Sequence, residues 1–283
     1  MQKTSASGAL SGPWLATPLL VYFLIFVLAP QIVLVVMSFR GLEGALTLTH
    51  FARVLTDPMT YDVLIGTLRL GLLTTLLTLV IGYPYALGMV YAGPRLKSLL
   101  LLLVVLPLLV SGVVRTFGWM VALGNQGPIN ELLLWLGIIE QPLKLLFTEK
   151  AVVIGLTQIE MPMMVLALYT VLGRMDASLL LASRSLGAGH WKTLVQVILP
   201  LSIPGLIAGC SLVFASAVGS FVAQTVLGGG GLLYMPMYIY QQSILSQEWA
   251  FAAALAVVLM VAVSSIVFAG NALARKSKGY IYG

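Results

Sequence analysis

The stretch LLLASRSLGAGHWKTLVQVILPLSIPGLIAG, residues 179–209, begins polar and glycine-broken and runs into an apolar segment through Pro200 and Pro204. Asp176 stands where a helix would start, with Ser178 as the alternative cap, and 179–186 continues as helix. Gly187-Ala188-Gly189 interrupts it, because glycine adopts positive φ without steric cost. A second helical stretch, 190–199, leads to Pro200 and the apolar run. Two short helices joined at a glycine turn form a rigid knob suited to a groove on another protein. The plainer alternative is an amphipathic helix resting on a lipid surface.

Working outward, the composition belongs to a membrane protein. Hydrophobic residues make up 60% of the 283 and charged residues 8%, where a soluble domain carries roughly 25% charged residues. Mean hydropathy is +1.04. The one cysteine, Cys210, excludes an intrachain disulfide and lies in an apolar run, which reads as a packed side chain. No cleavable signal is expected, because the first apolar stretch is too long for one.

Apolar runs of about 20 residues, enough to cross the hydrocarbon as helix, fall at 15–37, 63–90, 98–123, 151–172, 201–222 and 250–272. Arg69 and Arg115 interrupt the second and third. Residues 99–109, LLLLLVVLPLL, do not alternate in polarity, as a barrel strand would. The expected fold is all-α with six transmembrane helices in one domain at 15–272, a 1–14 tail and a 273–283 tail. With both termini cytoplasmic, Lys3, Arg95, Lys97, Arg174, Arg184, Lys192, Arg275, Lys276 and Lys278 lie inside, against Arg40, Arg53, Lys144 and Lys150 outside. The charge of +6 is thus a topology signal, and nucleic-acid binding is not expected.

The short basic turn 91–97 predicts an antiparallel hairpin of the second and third spans. Gly127-Pro128 predicts a turn and 129–139 a short surface helix capped by Asn130. The run 228–231 with Pro236 reads as a flexible or tightly turned external loop.

Residues 175–209 resemble the EAA loop of binding-protein-dependent ABC-importer permeases. The matching elements are Asp176, Ala182, Arg184, Leu186, Gly187, Ala188, Leu199, Pro200 and Pro204-Gly205. Leu181 stands where the family has its glutamate, and Ser183 replaces the second alanine. VVRTFGWM (113–120), GNQGPIN (124–130) and PLKLLFT (142–148) look like the spermidine/putrescine permease subgroup, first membrane subunit. The resemblance implies a type I importer permease fold with its coupling loop at 173–200. It implies a second permease subunit, a paralogue, together with two ATP-binding-cassette ATPase subunits that hold ATP and Mg. It also implies a periplasmic solute-binding protein. This chain would be non-catalytic and bind no cofactor. Its ATPase-coupling residues would be Asp176, Ala182, Ser183, Arg184, Leu186, Gly187, Ala188 and His190, in an inner membrane. The solute class implied is a polyamine or a related small amine or zwitterion.

A charge inside the bilayer costs about 2.5–3.5 kcal/mol on insertion scales and needs a partner or water. Arg115 and Glu160 either pair across the third and fourth helices, or Glu160 faces the solute pathway beside a helix loosened by Pro162. Trp119, Tyr169, Phe221 and Tyr240 serve as interface anchors or as a cation–π lining. Gln224 completes the candidate pathway set of Arg115, Trp119, Glu160, Tyr169, Phe221 and Gln224; the resemblance to polyamine-type permeases implies an acidic region here, and the absence of a carboxylate at 222–224 favours a less cationic solute. Arg69 reads as a snorkelling anchor. Gly205 and Gly209 form a GxxxG packing face. The segment 187–193 fails as a phosphate loop, since Trp191 precedes Lys192 where glycine is required. His50 and His190 lie far apart, and neither a metal site nor a catalytic dyad is expected. The alternative function is a stand-alone membrane carrier or a membrane-embedded enzyme.

Overall fold

The computed structural model describes residues 17–41 and 45–279, so the expected 1–14 tail and the last four residues of the 273–283 tail lie outside the described residues. The helices, in chain order, are α1 (Thr17–Ser38), α2 (Thr49–Thr56), α3 (Pro58–Tyr91), α4 (Pro94–Val105), α5 (Gly112–Ala122), α6 (Pro128–Trp135), α7 (Glu149–Leu172), α8 (Ala177–Ser185), α9 (His190–Gly219), α10 (Phe221–Gly228), α11 (Met235–Tyr240) and α12 (Trp249–Gly279). Among the described residues the extended pairing is confined to one bridge, Arg40 with Leu46. The all-α expectation holds.

Among the described residues five helices, α1, α3, α7, α9 and α12, are long and apolar enough to cross a bilayer. The sixth span is a correction to the sequence reading. Residues 98–123 are not one helix: α4 passes through a 3-10 turn at Leu106–Leu109, Val110 and Ser111 are extended, and α5 departs at 101°. Pro107 removes a backbone donor in that turn, and the chain turns before Gly112. The α3–α4 hairpin closes at Gly93-Pro94 as expected, with Pro94 in the first turn of α4.

One compact unit holds Pro58–Tyr238 and Leu259–Gly283. Its centre is the packing of α3, α7 and α9, and small residues allow the close approach. A Cβ at Gly71 would meet Val218 Cγ2 at 2.5 Å, one at Gly82 Met164 Cγ at 3.1 Å, and one at Gly209 Met164 Sδ at 2.7 Å. Gly205 lies against Val171 and the Ala167 carbonyl, so the GxxxG face packs on α7. Thr67, Thr75 and Thr78 are buried in α3 and return their hydroxyl protons to carbonyls one turn earlier. That is how hydroxyls are satisfied where no water is present.

A depth scale follows from helix rise. From Arg69 to Tyr91, α3 climbs about 33 Å, close to the roughly 30 Å of hydrocarbon. Arg69 also sits beside Glu149, the first residue of α7, at 3.5 Å. Both therefore mark one membrane interface, and the start of α3 projects beyond it.

The other unit, Met1–Asp57 with Ile239–Val258, contains α1, α2 and the beginning of α12. There Arg53 Nη1 donates to Glu248 Oε2 at 2.6 Å and lies 3.9 Å over the Phe251 ring. A π-turn at Leu24–Leu28 precedes Pro30 in α1.

Two loop expectations change. Asn130 is not a cap. Gly127 precedes α6, and Asn130 is fully buried, its amide nitrogen donating to the carbonyls of Gly124 (3.1 Å) and Leu143 (3.0 Å), its oxygen accepting from Leu143 N (2.9 Å). The helix stops at Trp135, before Gly137 at φ +67°. The 228–231 segment is tightly turned: Gly229 has φ +64° and lies under the Phe147 ring, leaving no space for a side chain.

Candidate functional site

Two regions gather the residues singled out in the sequence. The first is a polar layer in the membrane interior where α5, α7, α9 and α10 pack together. Glu160 is 3% exposed. It lies about 16 Å along α7 from Glu149, half the hydrocarbon depth. Its Oε1 accepts a 2.8 Å hydrogen bond from Ser216 Oγ on α9. Of the two alternatives open from the sequence, the ion pair of Arg115 with Glu160 is not formed among the described residues. Arg115 Nη1 donates instead to the Ile159 carbonyl at 3.1 Å, and its buried Nε has no partner among the described residues. The reason lies in the bent span, since Arg115 sits on α5, past the turn. Pro162 stands inside an unbroken α7. Lacking an N–H, it frees a carbonyl in this stretch, and the guanidinium supplies a hydrogen bond to the neighbouring one.

Trp119 Nε1 donates to Gln158 Oε1 at 3.1 Å, fastening α5 to α7 one turn from Arg115. Gln224 is 1% exposed and donates to the carbonyls of Ala217 (2.8 Å) and Val218 (3.1 Å). These belong to the last turn of α9, where Ser220 N also reaches the Ala217 carbonyl at 3.4 Å. The carboxamide thus closes a helix end. Phe221 opens α10 beside this cap, half-buried. Tyr169 lies elsewhere, toward the end of α7 nearer the knob, with Lys97 Nζ 5.3 Å from its ring. Tyr240 belongs to α11 and is 41% exposed. The structure therefore joins Arg115, Trp119 and Glu160 through α7, places Phe221 and Gln224 at the α9–α10 break, and separates Tyr169.

Gln158 and Ser216 were not anticipated. Gln158 carried a signal, being a second polar side chain two positions before Glu160 in an apolar run. Ser216, in the small-residue run FASAVG, carried none.

The second region is the knob. The Asp176 carboxylate accepts from Ser178 N at 2.8 Å, and that bond with the Ser178 hydroxyl holds its acid below the usual carboxylate range. At the other end of α8, Gly187 has φ +78° and Ala188 N donates to the Ser183 carbonyl at 3.0 Å. This is the long hydrogen bond of a Schellman ending, with glycine in its left-handed position. Ser183 Oγ and Thr193 Oγ1 are 3.0 Å apart and buried, bracing α8 against the start of α9. α9 then runs through a π-turn at Leu194–Ile198 and past both prolines without interruption. The knob and Ser216 consequently share one helix. Ala182 and His190 are exposed, and Arg184 falls within α8. Leu181 is 64%, Trp191 76% and Leu186 88% exposed.

The packed core of α3, α7 and α9, the helix–glycine–helix projection and the buried polar layer fit a transport permease. The chain belongs to the family described as binding-protein-dependent transport system inner membrane component, whose model matches residues 79–278. It is 36% identical over 246 residues to the spermidine/putrescine transport system permease protein PotB of Salmonella typhimurium (strain LT2), covering 85% of each chain. Against PotB of Escherichia coli (strain K12) the identity is also 36%, covering 85% of this chain and 89% of the relative. In fold it resembles a chain of a bacterial ABC transporter that imports the acidic polysaccharide alginate, with TM-score 0.78, 19% identity, and 93% and 96% of the two chains covered. The expectations of an importer permease fold and of the spermidine/putrescine subgroup are borne out.

Proposed function

We propose that this permease is one half of the pore of an ATP-driven importer, moving a polyamine or related small amine or zwitterion from periplasm to cytoplasm. The observation that carries the mechanism is the unbroken α9, which links the exposed knob to Ser216 and through it to Glu160. An ATP-binding-cassette dimer, holding ATP and Mg, docks on the knob through Asp176, Ala182, Ser183, Arg184, Leu186, Gly187, Ala188 and His190. Its closure displaces α9 as a rigid rod and changes the packing of α9 on α7. The Ser216–Glu160 bond then opens, and the Glu160 carboxylate is presented to a cationic group near mid-membrane. Arg115 remains on the α7 backbone, Trp119 holds α5 in register, and Phe221 borders the opening at the α9–α10 break. Tyr169 belongs to the exit near Lys97.

The knob faces the cytoplasm, together with both termini, in agreement with the bias of Lys and Arg in the sequence. A solute-binding protein delivers from the periplasm, and a paralogous permease completes the pore. Leu181, exposed where the family has glutamate, makes the docking contact more apolar than in glutamate-bearing relatives.

Gentle-detergent purification from the native host, with mass spectrometry of the co-purifying chains, tests the assembly. An ATP-binding-cassette subunit and a second six-helix permease are expected; recovery of the chain alone would overturn it. Uptake of radiolabelled spermidine and putrescine by the reconstituted assembly tests the solute, and ATP-independent uptake would favour a stand-alone carrier.

A further inference from the structure

We infer that the groove between α3 and α7 on the Arg69 side is a binding site for an anionic phospholipid. This site is separate from the solute path and does not rest on the transport reading. The groove measures about 600 Å³ and is lined by Leu73, Leu76, Leu77 and Val80 of α3 and Val153 and Ile154 of α7. At its mouth stand Arg69, Glu149 and Lys150.

Depth and charge together identify the occupant. From Arg69 to Val80, α3 descends about 16 Å, the thickness of one leaflet, roughly half of 30 Å. The groove thus starts at headgroup level and ends near the bilayer midplane, as an acyl chain does. Its walls carry no polar side chain below the mouth. The mouth bears two cations against one carboxylate. Glu149 approaches the Nε side of Arg69 at 3.5 Å and leaves the Arg69 terminal nitrogens without a hydrogen bond among the described residues. The Arg69 side chain is 66% exposed. A guanidinium fork and an ammonium beside it match the oxygens of a phosphate. A second protein helix would fill the apolar walls equally well, but it gives no account of the excess positive charge at their upper end.

The test uses the full-length chain with its co-purifying subunits, reconstituted in nanodiscs of phosphatidylglycerol and phosphatidylcholine in equal parts. It is then re-extracted in mild detergent, and the retained lipid is quantified. Phosphatidylglycerol is expected to be enriched about fivefold for each cation engaged. Arg69→Gln with Lys150→Gln should bring retention to the phosphatidylcholine level, and Glu149→Gln should raise it. Leu76→Trp, which fills the groove without altering charge, should also abolish retention while the melting temperature is kept. Equal retention of both lipids by the unaltered protein would overturn the site. So would a charge-neutral double variant that still prefers phosphatidylglycerol, or cross-linking of Leu76→Cys to a partner permease in high yield.

Discussion

Ser216 Oγ donates a 2.8 Å hydrogen bond to Glu160 Oε1 and so ties α9 to α7 in the interior of the bilayer. The two residues are separated by the whole knob in sequence. Glu160 is nearly inaccessible, so removing its partner leaves a buried carboxylate without that bond. Ser216→Ala is expected to destabilise the protein by about 1–3 kcal/mol, measured as a fall in melting temperature in detergent. Glu160→Gln keeps a hydrogen-bonding group of similar shape and should melt near the unaltered protein while losing uptake of a cationic solute. Full uptake by Glu160→Gln would remove the carboxylate from the transport mechanism.

Gly187 closes α8 at φ +78°, a conformation that costs an L-residue roughly 1–2 kcal/mol. Gly187→Val should leave membrane insertion intact and abolish association with the ATPase. Gly187→Asn, whose side chain tolerates the left-handed region, should retain association. The comparison is read by co-purification, and equal behaviour of the two variants would separate the turn from docking.

The glycines of the bundle are not equivalent. At Gly71 a methyl group would press on Val218 and Phe214, whereas at Gly66 and Gly88 nothing lies within 4 Å. Gly71→Ala is expected to lower stability by about 1–3 kcal/mol through overpacking. Gly66→Ala and Gly88→Ala should be neutral or stabilising by up to about 1 kcal/mol, since alanine is the better helix former. Thermal unfolding of the three variants decides the matter.

Asn130 satisfies Gly124 and Leu143 through three hydrogen bonds from a fully buried position. Asn130→Leu strands Leu143 N, at a cost of about 1–3 kcal/mol, while the Gly124 and Leu143 carbonyls keep their bonds from Gly127 N and Leu145 N. Limited proteolysis should then cut between 124 and 147, with the transmembrane helices still protected.

These cases show which levels of structure the sequence encodes openly. The Gly187 turn was legible because positive φ is a local property, and the hairpin at 91–97 was legible for a similar reason. Asn130 was misread as a cap because its position beside a Gly-Pro turn is also where a cap would stand. Its true partner, Leu143, is brought to it by the loop's tertiary path. The third span was read as straight because its composition is apolar on both sides of Ser111, and hydropathy does not register direction.

By itself the sequence determined that the chain crosses a membrane as helices, where its apolar runs fall, and where a glycine-hinged projection interrupts them. Each of these is a sum of local preferences over a turn or over about 20 residues. The tertiary structure decided that Arg115 bonds a backbone carbonyl, that Glu160 meets Ser216, that Gln224 closes a helix end, and that Arg69 stands beside Glu149. Such pairings depend on the depth and rotation of each helix, which the close approaches at Gly71, Gly82, Gly205 and Gly209 fix between segments far apart in sequence.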